Sequence, residues 1–130
     1  MNKIELNELL RDAIVERNID EVKRLLEIGA DPNFHLPIDS YKDSSEYRYQ
    51  PYSPLRLVVF IISDSQIGEK ELIKDAVIAQ LLIDNGADAI SAMQLAEDRY
   101  GKYNANMENS PFVEVIKIIK NSELQQRKSR

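Results

Sequence analysis

A glycine-terminated apolar segment occurs twice in this chain, and this recurrence constrains the fold more than any other feature. The first copy runs from Val22 to Asp31 and the second from Ile78 to Asp88, and each ends in Gly-Ala-Asp. The triplets begin at Gly29 and Gly86, which are 57 positions apart. Internal repetition of this kind is typical of folds in which similar helical units stack on one another.

Apolar residues at helical spacing precede each glycine. They are Ile19, Val22, Leu25 and Leu26 in the first copy, and Val77, Ile78, Leu81 and Leu82 in the second. This spacing predicts a short helix with one apolar stripe, and we expect the two Leu-Leu pairs to be equivalent. Gly29 and Gly86 are predicted to end these helices in a left-handed conformation, which glycine adopts at little cost.

A further helix is predicted upstream of each copy, so that the helices come in pairs. The first has a stripe made of Leu6, Leu9, Leu10, Ala13 and Ile14. The second opens with Ser53 as a cap and Pro54 at the first helical position. A third pair is predicted from a helix beginning at Ser91 and another over residues 113–119. The apolar run 57–62 alternatively fits a buried strand.

The segment Ser53-Pro54-Leu55-Arg56-Leu57-Val58 resembles the Thr-Pro-Leu-His-x-Ala opening of ankyrin repeats, and Ser91 to Ala96 resembles it more loosely. The resemblance implies an all-α, ankyrin-type helical solenoid of about three helix pairs. The implied single domain spans 1–122, with pairs at about 6–28, 53–85 and 91–121. An extended β-hairpin-like finger is inserted at 31–52, and residues 123–130 are expected to form a flexible tail.

The long finger is the first candidate for function, because it holds four of the six tyrosines. Tyrosine and arginine are common at the energetic centres of protein interfaces. The predicted partner-binding residues of the finger are Tyr41, Asp43, Glu46, Tyr47, Arg48, Tyr49 and Tyr52. The resemblance adds the concave-face positions Arg11, Arg56 and Gln94. The alternative is that the tyrosine rings fold back and cover the end of the helices.

The composition argues against catalysis. There is no cysteine, and His35 is the only histidine. No nucleophile or carboxylate is spaced from His35 in a way that indicates a catalytic pair. Asp39, Asp43 and Glu46 are spaced too irregularly for a calcium loop, and the four glycines form no phosphate cradle. We therefore predict no enzyme activity, no metal site and no cofactor.

Charge and hydropathy indicate the kind of partner. The chain carries −5, and since residues 120–130 carry +3, residues 1–119 carry −8. Such a body repels nucleic acid and attracts a basic protein, although the acidity alternatively serves only solubility. The charged N-terminus and the short apolar run at 57–62 predict a cytoplasmic protein with no membrane association. We also expect the chain to be a monomer.

These observations predict a non-catalytic module for protein–protein interaction that binds, and in one version inhibits, a protein partner. A bacterial immunity protein that neutralises a toxin is the example we favour. The alternative is a scaffold or regulatory subunit of a larger assembly. A secreted, host-directed effector is the third and least supported interpretation, because no residues remain for a catalytic domain.

Overall fold

The computed structural model describes residues 2–35, 53–62, 68–101 and 112–129. Six α-helices lie in these ranges, which are α1 (Lys3–Val15), α2 (Ile19–Glu27), α3 (Pro54–Ile61), α4 (Glu69–Asp84), α5 (Ala89–Tyr100) and α6 (Val113–Lys128). No strand occurs within the described ranges, which confirms the all-α class. The strand alternative for 57–62 is wrong, because Pro54 opens α3 after the extended residue Ser53 and the apolar run continues it as helix.

The helices pack in pairs and in two rows. Consecutive helices α1 and α2, α3 and α4, and α5 and α6 contact each other. In addition α3 contacts both α1 and α5, and α4 contacts both α2 and α6. That these two rows form an ankyrin-type solenoid stays a prediction. The predicted hairpin finger lies outside the described residues from residue 36 to its end at residue 52.

Three helices end in the same backbone motif. A residue with positive φ follows α1, α2 and α4, namely Arg17, Gly29 and Gly86 with φ of 57°, 111° and 99°. The next N–H in each case donates back five residues, from Asn18 to Ala13, from Ala30 to Leu25 and from Ala87 to Leu82, at 2.9, 2.9 and 3.0 Å. The predicted left-handed glycines are thus confirmed, and the same turn also ends α1 with an arginine in place of glycine.

These hydrogen bonds correct the predicted register of the repeat. Because Ala30 and Ala87 bond to Leu25 and Leu82, the pair Leu25-Leu26 is equivalent to Leu82-Ile83. The expected match with Leu81-Leu82 is wrong by one position. Leu25 and Leu82 are both fully buried, whereas Leu81 is only partly buried.

One continuous core joins the three pairs. Its largest fully buried side chains come from all six helices, and they include Leu10, Leu25, Leu55, Ile78, Met93 and Ile119. Two details of the predicted stripes are wrong, since Leu9 and Val77 are exposed. Asn7 is buried on α1 instead, because its side-chain oxygen accepts a hydrogen bond from the N–H of Asp31 at 3.0 Å.

The third pair is longer than predicted at both ends. Its first helix, α5, begins at Ala89 and not at Ser91, because the Asp88 carboxylate accepts hydrogen bonds from Ile90 and Ser91 and caps it. The flexible tail predicted from residue 123 is wrong for residues 123–128, which continue α6.

Glu123 explains why α6 continues into the predicted tail. Its side chain is buried and accepts hydrogen bonds from Lys120 at 2.9 Å and Arg127 at 3.1 Å. Burial raises the pKa of Glu123, but these two cations outweigh burial and the net pKa is lowered. The carboxylate therefore stays charged and holds the last turns of the helix.

A buried ion pair connects the first pair of helices to the second. Arg17, in the turn after α1, places Nε 3.0 Å from Oδ1 of Asp75 on α4 and donates a hydrogen bond to Oδ2 at 3.2 Å. Asp75 is fully buried, and its Oδ1 accepts no hydrogen bond from the described residues. The net pKa of Asp75 is raised to about 6. Burial is the main cause, Arg17 acts in the opposite direction, and Glu71 adds to the rise.

The positive φ of Gly86 predicts a specific cost of substitution. Gly86→Ala should lower the free energy of unfolding by about 1–2 kcal/mol, since a Cβ is strained in this conformation although no atom lies within 4 Å of it. Urea unfolding measures the effect. Gly68→Ala is the matched control, because Gly68 has a φ of −88° and a Cβ there would meet only the movable Glu71 carboxylate, at 2.7 Å. It should change stability by less than half as much. Equal effects would contradict the prediction.

The Asp75 carboxyl predicts a pH dependence. Because its pKa is higher in the folded protein than the ordinary 3.8, the folded state holds the proton more tightly, so stability falls as pH rises from about 4 to 6. Asp75→Asn removes this dependence. Its unfolding free energy relative to the unsubstituted protein should therefore rise by about 2 kcal/mol between about pH 4 and pH 7. Asp98→Asn, at an exposed position, should not change the profile. Parallel profiles for Asp75→Asn and the unsubstituted protein would refute this assignment.

Candidate functional site

The structure describes only the base of the predicted binding finger. The predicted contacts Tyr41, Asp43, Glu46, Tyr47, Arg48, Tyr49 and Tyr52 all lie outside the described residues, so their role stays a prediction. At the base, Phe34 is buried in the core and His35 is exposed. The finger therefore leaves the helices from an anchored aromatic ring.

The other three predicted contacts lie on consecutive helices of one row. Arg11 is on α1, Arg56 on α3 and Gln94 on α5, and these helices contact one another in this order. Gln94 is exposed and Arg56 is partly buried. The Arg11 side chain is only 11% exposed and bonds to Asp12 through Nε at 3.0 Å and Nη2 at 2.7 Å. Gln94 is thus the most accessible of the three.

An aromatic cluster that sequence reasoning missed joins the same row to α6. The Arg99 guanidinium lies 4.7 Å from the ring centre of Phe60, in cation–π geometry. The Tyr100 hydroxyl donates to the carbonyl of Val59 at 2.8 Å, and its ring centre is 4.6 Å from that of Phe112. The cluster orients Arg99, which is exposed, at the end of α5.

Side-chain amides hold the repeated turns from neighbouring elements. Asn33, just after the first Gly-Ala-Asp, donates to the Gly86 carbonyl at 2.9 Å and accepts from the Asp88 N–H at 2.8 Å. On the other side, Gln126 of α6 donates to the Ala87 carbonyl at 3.0 Å and accepts from the Ala89 N–H at 2.9 Å. The second turn is therefore connected both to the first turn and to the last helix.

A polar groove of about 820 Å³ opens beside these amides. It lies between the base of the finger, the second Gly-Ala-Asp turn and the end of α6. Its described lining is Asn33, His35, Ser53, Ile83, Asp84, Gly86, Ala87, Asp88, Ser91, Ser122, Gln125, Gln126 and Ser129. Neither lysine nor arginine occurs in this described lining, so Asp84 and Asp88 set its charge.

The described ranges meet neither the requirements of a metal site nor those of a membrane-spanning helix. No group of three or more histidine, cysteine, aspartate or glutamate side chains there has the geometry to hold a metal ion. No helix in the same ranges is long and apolar enough to cross a bilayer.

The amide of Asn33 predicts a measurable contribution to stability. Asn33→Ala should lower the unfolding free energy by about 1 kcal/mol, because two hydrogen bonds between the first and second turns are lost. Asn85→Ala is the matched control, since within the described part of the chain its amide bonds only to Leu81 of its own helix. Thermal unfolding compares the two variants. If they behave alike, Asn33 does not connect the turns energetically.

Comparisons with protein-family models, with curated proteins and with solved structures gave no match.

Proposed function

We propose that the chain is a non-catalytic protein-binding module built as an ankyrin-type stack of three helix pairs. The observation that carries the proposal is the equivalence of the two Gly-Ala-Asp turns, which share their φ sign, their hydrogen bonds and their buried leucine. The contacts of α3 with α1 and α5, and of α4 with α2 and α6, support the same interpretation. Stacked helical repeats present extended surfaces to partners.

The partner surface in this proposal comprises the finger and the exposed positions of α1, α3 and α5. Gln94 and Arg99 of α5 are exposed there. The partner is a basic protein, because residues 1–119 carry −8 and opposite charge accelerates association and selects the partner. If binding covers a basic cleft of the partner, it inhibits the partner, as a bacterial immunity protein inhibits a toxin.

The second candidate function is a scaffold or regulatory subunit, and exposed apolar side chains favour it. Ile73 and Val77 on α4 are 60% and 40% exposed, and Leu124 on α6 is 47% exposed. Because α4 and α6 contact each other, a larger assembly could cover both. Light scattering of the purified chain separates the candidates, since a strict monomer that unfolds cooperatively contradicts the need for a constant partner.

Co-expression with the product of the neighbouring gene, followed by affinity capture, tests the binding proposal. Gln94→Arg should weaken capture of a basic partner at least about fivefold, through added like charge and a larger side chain. Gln80→Arg is the matched control, because Gln80 is exposed on α4, in the other row, and should leave capture unchanged.

A Tyr47→Ala, Tyr49→Ala double variant tests the finger separately. It should fold and lose capture. If it unfolds instead, the rings serve the fold and the recognition role of the finger is wrong. Absence of any complex with the unsubstituted chain would contradict the inhibitory version.

A further inference from the structure

We propose that Asn85 is a site of spontaneous deamidation, which the second Gly-Ala-Asp turn prevents while it is closed and permits when it opens. The reaction is an attack of the next backbone nitrogen on the side-chain amide, and water is the only co-reactant. The site is independent of the proposed function. It places a permanent chemical change at the turn that Asn33 and Gln126 hold from neighbouring elements.

The dipeptide at positions 85 and 86 is the first observation. Asn85-Gly86 is the only Asn-Gly pair in the chain, and both residues are exposed. Asparagine is a chemically labile residue, and a following glycine has no side chain that hinders the approach of its nitrogen. The turn itself requires this glycine, because φ at Gly86 is 99°. The fold therefore places beside Asn85 the residue that hinders the attack least.

The reaction balances with water alone. The Gly86 nitrogen loses its proton and forms a bond to Cγ of Asn85, while the bond from Cγ to Nδ2 breaks and ammonia leaves. The product is a cyclic succinimide. Water then opens the ring at one of its two carbonyl groups, which gives either an aspartate at position 85 or an isoaspartate, in which the main chain runs through Cβ and Cγ.

The closed turn keeps the two reacting groups apart. Ring closure requires the Gly86 nitrogen to lie beside Cβ of Asn85 about the Cα–C bond, but at the observed ψ of 11° it nearly eclipses the Asn85 nitrogen. Its N–H also donates to the Ile83 carbonyl at 3.0 Å, and Nδ2 of Asn85 donates to the Leu81 carbonyl at 2.8 Å. Both groups have to leave these bonds before they can react.

Opening of this turn does not require the whole chain to unfold. The turn lies at the end of α4, whose last turn contains no basic residue to offset the partial negative charge of the helix end. Exposed helix ends open far more often than the core. Asn33 opposes opening, because it donates to the Gly86 carbonyl at 2.9 Å and accepts from the Asp88 N–H at 2.8 Å.

The products fit the turn less well than asparagine does. A carboxylate at position 85 cannot donate to the Leu81 carbonyl, and it adds negative charge beside Asp84 at the negatively polarised end of α4. An isoaspartate also lengthens the backbone segment that the hydrogen bond from Ala87 to Leu82 closes. The modified turn is therefore held less firmly than the original one.

Peptide mass spectrometry of the aged full chain tests the proposal. After incubation at mildly alkaline pH, trypsin releases residues 75–99, in which Asn85 is the only asparagine. This peptide should gain the mass difference between an amide and a carboxyl group, and labelling by an isoaspartate methyltransferase should identify the rearranged product. The chain unfolded in urea should convert at least about tenfold faster than the folded chain.

Asn33→Ala tests control by the turn, because it removes two hydrogen bonds that hold the turn closed. It should speed conversion in the folded chain about fivefold. Asn18→Ala is the matched control, since it removes the capping bond from the Glu21 N–H at the opposite end of α2 and lowers overall stability to a similar extent. It should change the rate less than about twofold.

Thermal unfolding checks that both variants fold. If Asn33→Ala does not fold, Asn33→Asp takes its place, because it keeps the acceptor for the Asp88 N–H and loses only the donor to Gly86. It should speed conversion about twofold or more.

Three results would overturn the proposal. The absence of conversion at position 85 in the folded chain refutes the site. Equal rates in the folded and unfolded chains refute protection by the turn. Equal acceleration by the Asn33 and Asn18 variants would mean that the reaction follows unfolding of the whole chain and that the turn does not control it.

Discussion

The left-handed turn that ends α2 and α4 is the constraint on which the rest of the structure depends. Gly29 and Gly86 reverse the backbone so that the next N–H can bond to the carbonyl five residues earlier. This bond satisfies a carbonyl that would otherwise lack a partner, and it places a small alanine in the core behind the helix. The two turns lie close enough that Asn33, just after the first, bonds across to the second.

Electrostatics adds two different connections to this backbone frame. Both Asp75 and Glu123 are buried carboxylates, but their surroundings act in opposite senses. Burial dominates at Asp75, where one arginine donates a single hydrogen bond, and its pKa is raised. Two cations surround Glu123 and lower its pKa. The Arg17–Asp75 ion pair, which connects the first pair of helices to the second, therefore costs stability near neutral pH. The Glu123 ion pairs at the end of α6 are retained at that pH.

Much of the fold could be predicted because local rules and core packing agree. Glycine at the helix ends, Pro54 at the start of α3 and apolar residues at helical spacing all gave the correct elements. The predictions failed where one polar side chain at a helix end decided the outcome. The tail could not be recognised as helix because Glu123 is buried only through Lys120 and Arg127, and Asp88 moved the start of α5 by capping it.

The candidate site was harder to predict, because its residues are far apart in the sequence. Arg11, Arg56 and Gln94 could be chosen from motif position, but the groove is formed by residues from the finger base, the second turn and the end of α6. No local pattern in the sequence connects Ser53 with Gln126. One signal was available, since a tight Gly-Ala-Asp turn leaves backbone groups that nearby amides such as Asn33 must satisfy.

The central claim is that equivalent helix pairs lie side by side, with α4 between α2 and α6. Because the chain has no cysteine, spin labels can be attached specifically at Lys23→Cys on α2 and Asn121→Cys on α6, both exposed positions. Pulsed electron paramagnetic resonance should then give a separation near 20 Å, about two interhelical spacings. A distance near one spacing, about 10 Å, would mean that α2 packs directly on α6 and would contradict the account.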